Sequence, residues 1–125
     1  MKIITIGIIA FVVAYMAMNP SKGSVPAISS ETGIKLLESS NHFFLDVRTQ
    51  PEHNAIAIPN TPVIPIQELA NRLDELEPYK DKTIVVYCRS GNRSGTGTKL
   101  LNNNGYEAVN LLGGMNQWKG PVVKK

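Results

Sequence analysis

The sequence predicts an α/β domain with a mainly parallel central sheet flanked by helices on both faces. Two short apolar runs, Phe43 to Val47 and Thr83 to Tyr87, lack the strict alternation of a half-exposed strand and suit strands buried on both sides. Helical and extended stretches alternate about every twelve residues along the chain. A glycine-bearing loop follows the second run at once and opens a helix, the order of strand, tight loop and helix.

The N-terminus stands apart from that domain. Met1-Lys2 precedes Ile3 to Met18, a run without a charge, and Asn19-Pro20 breaks it. A basic start and a short apolar core have the layout of a secretory signal, and the run is slightly short for a spanning helix of about 20 residues. A cut after Ala17 would put bulky Tyr15 where a small residue belongs, and a cut after Gly23 would put Ser21 there. Residues 1–23 are therefore expected to be a signal peptide or an uncleaved membrane anchor, and residues 24–125 the folded domain. With Lys2 held inside, the domain is exported, periplasmic or otherwise extracytoplasmic, either soluble or tethered through residues 3–18.

Within the domain, Ser24 to Ala27 reads as a linker. Ser29 or Ser30 N-caps a short helix through Leu37, with Glu31 in its first turn and Ile34 and Leu37 on its buried side. Phe43 to Val47 is a strand, and Arg48 to Glu52 turns out of it, with Arg48 and Glu52 expected to pair. His53 to Pro65 is irregular, with a brief strand at Val63-Ile64. Gln67-Glu68 opens a helix in which Leu69, Leu73 and Leu76 share a face and which Pro78 stops. After the strand and loop, Gly95-Thr96-Gly97-Thr98 is weak helix material, and Gly105 suits a left-handed cap at the helix end. Ala108 to Leu112 is the last strand, Gly113-Gly114 a turn, and Met115 to Trp118 a final helical piece. Lys119, Lys124 and Lys125 read as a solvated tail.

Composition narrows the chemistry. One cysteine among 125 residues allows no internal disulfide and no cysteine-rich metal site. His42 and His53 read as solvated loop residues, too few for a metal centre. A net charge of +3 permits small anionic substrates. With no basic stripe or aromatic platform beside it, it gives no case for nucleic acid.

The lone cysteine opens the loop Cys88-Arg89-Ser90-Gly91-Asn92-Arg93. Cysteines at strand ends are ordinarily inert core residues, but this loop changes the expectation. Amide groups at a helix start carry partial positive charge, and Arg89 and Arg93 add full charges, so the thiol should ionise readily. Gly91 lets successive amides turn inward around an anion. Arg93 could clasp the loop or touch substrate, and Arg89 is expected at the mouth of the site. In a parallel sheet ligands lie beyond the carboxyl ends of the strands, which places Asp46 and Arg48 on the same edge as Cys88. Asp46 is expected to order the loop that follows it, by pairing with an arginine, rather than react. Tyr87 and Trp118 read as core packing.

These pieces resemble a single rhodanese domain. The resemblance rests on Asp46-Val47-Arg48, Pro65-Ile66-Gln67-Glu68-Leu69, the loop from Val85 to Ser94, and Leu112-Gly113-Gly114-Met115-Asn116-Gln117-Trp118, together spanning about residues 27–120. It implies a sulfurtransferase in which Cys88 carries sulfur as a persulfide, taken from a donor such as thiosulfate and passed to cyanide or another thiol, a protein thiol included. It implies no metal and no organic cofactor. The six-residue loop favours sulfur over phosphate or arsenate, since the related phosphatase and arsenate-reductase branch has a loop one residue longer. A membrane-tethered persulfide carrier or binding module without turnover is the alternative. One stretch departs from the family: Ile56 to Thr61 stands where Gly-His-Ile-Pro-Gly-Ala is usual. An altered backbone path is expected there.

Overall fold

A computed structural model describes residues 25–125. The expected signal or anchor at residues 1–23 lies outside the described residues. Among the described residues, no helix is long and apolar enough to cross a membrane.

The elements follow in the order β1 (Ala27–Ile28), α1 (Ser30–Leu36), β2 (His42–Asp46), α2 (Gln50–Ala55), β3 (Ile56–Ala57), α3 (Ile66–Leu69), a 3-10 helix (Leu73–Tyr79), β4 (Thr83–Tyr87), α4 (Asn92–Asn103), β5 (Glu107–Leu111), α5 (Gly114–Gln117) and β6 (Val123–Lys124). The main sheet has the order β1-β5-β4-β2, and all its pairs are parallel. β4 therefore sits between β2 and β5 and is buried along nearly its whole length. Successive strand residues point to opposite faces. Ile84 and Val86 enter the core beneath α3, the 3-10 helix and α4, with Leu69, Leu76 and Leu101. Val85 and Tyr87 enter the opposite core with Phe44, Leu111 and Trp118, against which Ile34 of α1 packs. Covered on both faces, the sheet needs apolar residues on both, which is why its two best strands read as continuous runs.

Several elements differ from the sequence reading. The segment after β2 is a helix, not a turn. Thr49 caps α2, and Glu52 reaches back to the cap, a reciprocal capping box with Pro51 in the first turn. The single helix expected from Gln67 to Pro78 is two pieces: α3 ends at Leu69, and the 3-10 helix contains Pro78. Leu69 and Leu76 still reach the same core. Val63 makes one parallel bridge to Asp46 rather than a strand. The C-terminal tail is not free: β6 pairs antiparallel with β3, Lys124 opposite Ile56 and Val123 opposite Ala57. Ala27-Ile28 is an edge strand on β5, not a linker.

Other expectations hold. Ser29 caps α1 through its side chain, and Gly105 has φ +87 beyond the end of α4. Gly97, weak helix material, faces the core. A side chain there would begin 3.3 to 3.5 Å from Ile66, Leu69 and Val86, so the missing methyl lets α4 lie close on the sheet.

Candidate active site

β2 and β4 are in register, with Asp46 opposite Tyr87, so the chain leaves both strands on one edge. Cys88 and Val47 are the next residues, and the Val47 amide donates to the Tyr87 carbonyl at 2.9 Å. The edge expected from the sequence thus brings Cys88, Asp46 and Arg48 together.

Cys88 is buried, 1% exposed. Its sulfur accepts from the amide of Gly91 at 3.1 Å and that of Ser94 at 3.3 Å, and the Ser94 hydroxyl lies 3.3 Å away. Gly91 holds φ +106 at the N-cap of α4, a conformation that L side chains rarely adopt. That turn aims its own amide at the sulfur. Burial pushes the thiol up, but hydrogen bonds from the Ser94 hydroxyl and the Ser94, Gly91 and Ser90 amides outweigh it and hold Cys88 below the ordinary thiol value. The expected helix-start effect is present. These hydrogen bonds are the leading cause of the lowering; Arg93, bridged to Glu52, still acts on Cys88 by charge, and Arg89 is exposed.

A residue the sequence reading missed orders this cradle. Asn110 of β5 is 7% exposed. Its amide nitrogen donates to the Gly91 carbonyl at 3.1 Å, which fixes its orientation. Its oxygen then accepts from the Ser94 hydroxyl at 2.5 Å. The single Ser94 proton has two acceptors within reach, the Asn110 oxygen and the Cys88 sulfur, and a thiolate is the stronger, charged one. The signal for Asn110 was present, since a polar residue inside a buried strand needs a partner.

The loop is also held from outside. Amides of Met115 and Asn116, at the start of α5, donate to the carbonyls of Cys88 and Arg89, each at 2.9 Å. Gly114 permits that approach, because a side chain there would collide with the Cys88 carbonyl. Ser90 and Asn92 are exposed, as is Arg89.

Asp46 and Arg48 form a buried ion pair. Arg48 donates to both carboxylate oxygens through Nε at 3.0 and 3.1 Å and through Nη2 at 2.8 Å, and its amide adds a bond at 2.9 Å. Nη2 also reaches the Ile56 carbonyl at 2.6 Å. Burial pulls the guanidinium down, but bonding to Asp46 more than offsets it, so Arg48 stays charged. His53, expected in solvent, is half-buried with Nδ1 2.9 Å from Asp46 Oδ2. Asp46 thus joins β2, Arg48 and α2. The expected Arg48–Glu52 pair does not form. Glu52 instead takes Arg93 of the loop by a bidentate bridge at 2.9 and 3.1 Å. The Arg93 hydrogen bond, with lesser bonds from Thr49, outweighs the burial penalty and lowers the Glu52 carboxyl to about 2. Arg93 is therefore a clasp between the loop and α2.

The wall at Ile56 to Thr61 is stitched to the sheet by Tyr87. The Ile58 amide donates to the Tyr87 oxygen at 3.2 Å, and the Thr61 hydroxyl donates to the Ile58 carbonyl at 2.8 Å. With its proton used, Thr61 receives the Tyr87 hydroxyl at 2.8 Å. Asn60 takes the left-handed backbone (φ +61) that a glycine would allow, a conformation asparagine tolerates. A cleft of about 330 Å³ opens beside the loop, lined by Arg48, Glu52, Ala55, Ile56, Arg89, Met115 and Asn116. A larger cavity of about 680 Å³ near Ser30, Ile34 and Gln117 carries none of this chemistry.

Fold and site together define a class: a parallel α/β domain that presents one thiol, surrounded by hydrogen-bond donors, in a tight loop at the carboxyl ends of its strands. Comparison with known proteins specifies the class. The family model for the rhodanese-like domain matches residues 30–121, and the chain belongs to the rhodanese-like domain family. A sulfurtransferase of Allochromatium vinosum is 34% identical over 67% of this chain and 78% of its own length. The thiosulfate sulfurtransferase PspE of Escherichia coli is 31% identical over 65% of this chain and 78% of its own length. The adenylyltransferase and sulfurtransferase uba4 of Ogataea parapolymorpha is 36% identical over 64% of this chain, which spans only 21% of that protein. Among solved structures, a rhodanese-related protein of Thermoplasma volcanium superposes with a TM-score of 0.73 at 31% identity, covering 80% of this chain and 99% of the other.

Proposed function

We propose that the chain is a sulfurtransferase working through a persulfide on Cys88. The observation that carries this reading is the ring of donors around the Cys88 sulfur: two amides and a hydroxyl within 3.3 Å, in a site closed by Arg93 and Glu52. The thiolate attacks the outer sulfur of a sulfane donor. The donor's S–S bond breaks, and its electron pair leaves on the donor remnant. An acceptor thiol or cyanide then attacks the outer sulfur of the persulfide, and the Cys88 thiolate is restored. Loop amides from Arg89 to Arg93 are proposed to hold the anions, with Asp46 and Arg48 supporting the wall. No cofactor enters these steps. Sulfurtransferases among the relatives support the reading at family level.

Incubation with a sulfane donor should add the mass of one sulfur to the protein and none to Cys88→Ser. A protein that loads with no donor overturns the proposal. Loading without turnover to cyanide or a small thiol would point to the carrier reading instead. The apolar run at Ile3 to Met18 supports export or membrane tethering. Its test is the intact mass of the protein recovered from soluble and membrane fractions of its own cell; the full chain found only in the cytosol would refute it.

A further inference from the structure

We infer that Asn110 is a positioning residue that acts through Ser94: it holds the Ser94 proton while the Cys88 sulfur is neutral and gives it up when that sulfur is charged. The inference rests on the sulfurtransfer reading for the persulfide stage and on the geometry of β5 and α4 for the rest. Asn110 has little freedom. Its backbone lies between β1 and β4, opposite Ala27 on one side and Val86 on the other, and its backbone amide donates to the Pro26 carbonyl at 2.8 Å. Its Nδ2 donates to the Gly91 carbonyl at 3.1 Å, so Oδ1 is the atom that meets the Ser94 hydroxyl. Among the described residues, that hydroxyl is the only hydrogen-bond partner of Oδ1. Both side chains are buried.

A serine hydroxyl carries one proton and can turn it about the C–O bond without moving a heavier atom. With Cys88 as a thiol, the S–H donates to the Ser94 oxygen across 3.3 Å, and the Ser94 proton passes on to Asn110. Ionisation sends the thiol proton to solvent and leaves a charged acceptor, which draws the Ser94 proton to sulfur. The Asn110 oxygen is then buried without a partner, which weighs against the thiolate. Asn110 thus opposes the ionisation that Ser94 favours.

The same exchange follows the charge through sulfur transfer. In the persulfide the negative charge lies on the outer sulfur. The inner sulfur is neutral, and the Ser94 proton returns to Asn110. When an acceptor attacks the outer sulfur, the S–S bond breaks and its electron pair returns to Cys88. The hydroxyl turns back as that charge grows. Ser94 then bonds the departing sulfur more strongly in the transition state than in the ground state, which is what speeds a chemical step. The amides of Gly91 and Ser94 are fixed by the loop backbone and do not switch in this way.

The test is a double-mutant cycle on the reduced full-length protein. The pH midpoint of Cys88 alkylation is measured for the parent, Ser94→Ala, Asn110→Leu and the double variant. Leucine keeps the branched shape and lacks both polar atoms. The charged and titratable side chains around the loop are Arg89, Arg93, Glu52, His53, Asp46 and Arg48, and they are the same in every variant. Their effect cancels in the cycle, as does loss of the tie to Gly91, and what remains passes through the Ser94 hydroxyl. Asn110→Leu should shift the midpoint downward by about half a unit to one unit more in the parent than in the Ser94→Ala background, the size of one neutral hydrogen bond. Equal shifts in the two backgrounds, or a coupling of opposite sign, overturn the inference. A second measurement leaves Asn110 in place. The NMR resonance of its side-chain carbonyl carbon should titrate with the Cys88 midpoint in the parent and lose most of that step in Ser94→Ala. A carbonyl that titrates equally in both, or in neither, overturns the inference as well. Sulfur loading is followed in parallel by intact mass. Coupling without loading from any sulfane donor overturns the sulfurtransfer reading and leaves Asn110 as a residue that sets the ionisation of Cys88.

Discussion

Cys88 illustrates how a buried thiol can be held below its ordinary value. Burial alone would disfavour its ionisation, yet three amides and a hydroxyl reverse the sign. Alkylation of Cys88 by iodoacetamide should therefore titrate below the ordinary thiol value of 9.0. Ser94→Ala, which deletes the hydroxyl but keeps the amide, should move the midpoint upward; an unchanged or lower midpoint would show that Ser94 does not donate to the thiolate. The same substitution leaves the Asn110 oxygen buried without a partner, at a cost of about 1–3 kcal/mol in chemical denaturation. The cysteine and its loop were legible in the sequence because neighbours in the chain build them. Asn110 and Glu52 were missed or misread because their partners are far along it, and His53 because α2, which turns it back to Asp46, was read as irregular. Asn110 meets Ser94 sixteen residues away, and Glu52 meets Arg93 across a separation of 41. Charge type tells that Arg48 wants a carboxylate, but only the fold decides between Asp46 and Glu52.

Among the elements, α2 has the largest consequence for the site. Its first turn serves two partners at once, because Glu52 closes the capping box and clasps Arg93. The depressed carboxyl makes this a pH-dependent tie. Glu52 titrates near 2 when folded and at about 4.3 when unfolded, so its contribution is complete above about 4.3 and fades as pH falls toward 2. Both partners are about one-third exposed, which screens the pair and limits it to about 1 kcal/mol. Thermal melts should show Glu52→Gln less stable than the parent at pH 7, with the gap shrinking between pH 4.3 and 2. A gap that is constant over that range would mean the bridge contributes nothing. The wall after α2 is a similar case. Its family glycines and histidine are absent, yet Asn60 keeps a left-handed turn and Tyr87 pins Ile58 and Thr61. Tyr87→Phe would leave the Ile58 amide without its acceptor, so melts should fall by about 1–3 kcal/mol in stability. A variant as stable as the parent would show that water replaces the phenol.

At the scale of the whole molecule, stability should be graded from the centre of the sheet outward. β4 is paired on both sides and covered on both faces, whereas β3 and β6 form a two-residue ladder with β6 fully exposed. Amide hydrogen exchange should be slowest for Ile84 to Val86 and fastest for Lys124 and Lys125, because local opening there exposes almost no core. Slow exchange at Lys125 would mean the small ladder is part of the global fold. The parallel sheet and its two covered faces were readable from continuous apolar runs and helix rhythm. β6 was not, since its exposed Val123 and its lysines carry no buried pattern, and only the edge of β3 gives it a partner.

The amides of Met115 and Asn116 hold the carbonyls of Cys88 and Arg89 from outside the loop, while Asn110 holds Gly91 from within. A loop tied down on both sides has no slack to follow the chemistry. Free and sulfur-loaded forms should then share one backbone. Crystals grown of the free protein should tolerate a soak in sulfur donor without cracking, and the only new density should be a single atom beyond the Cys88 sulfur.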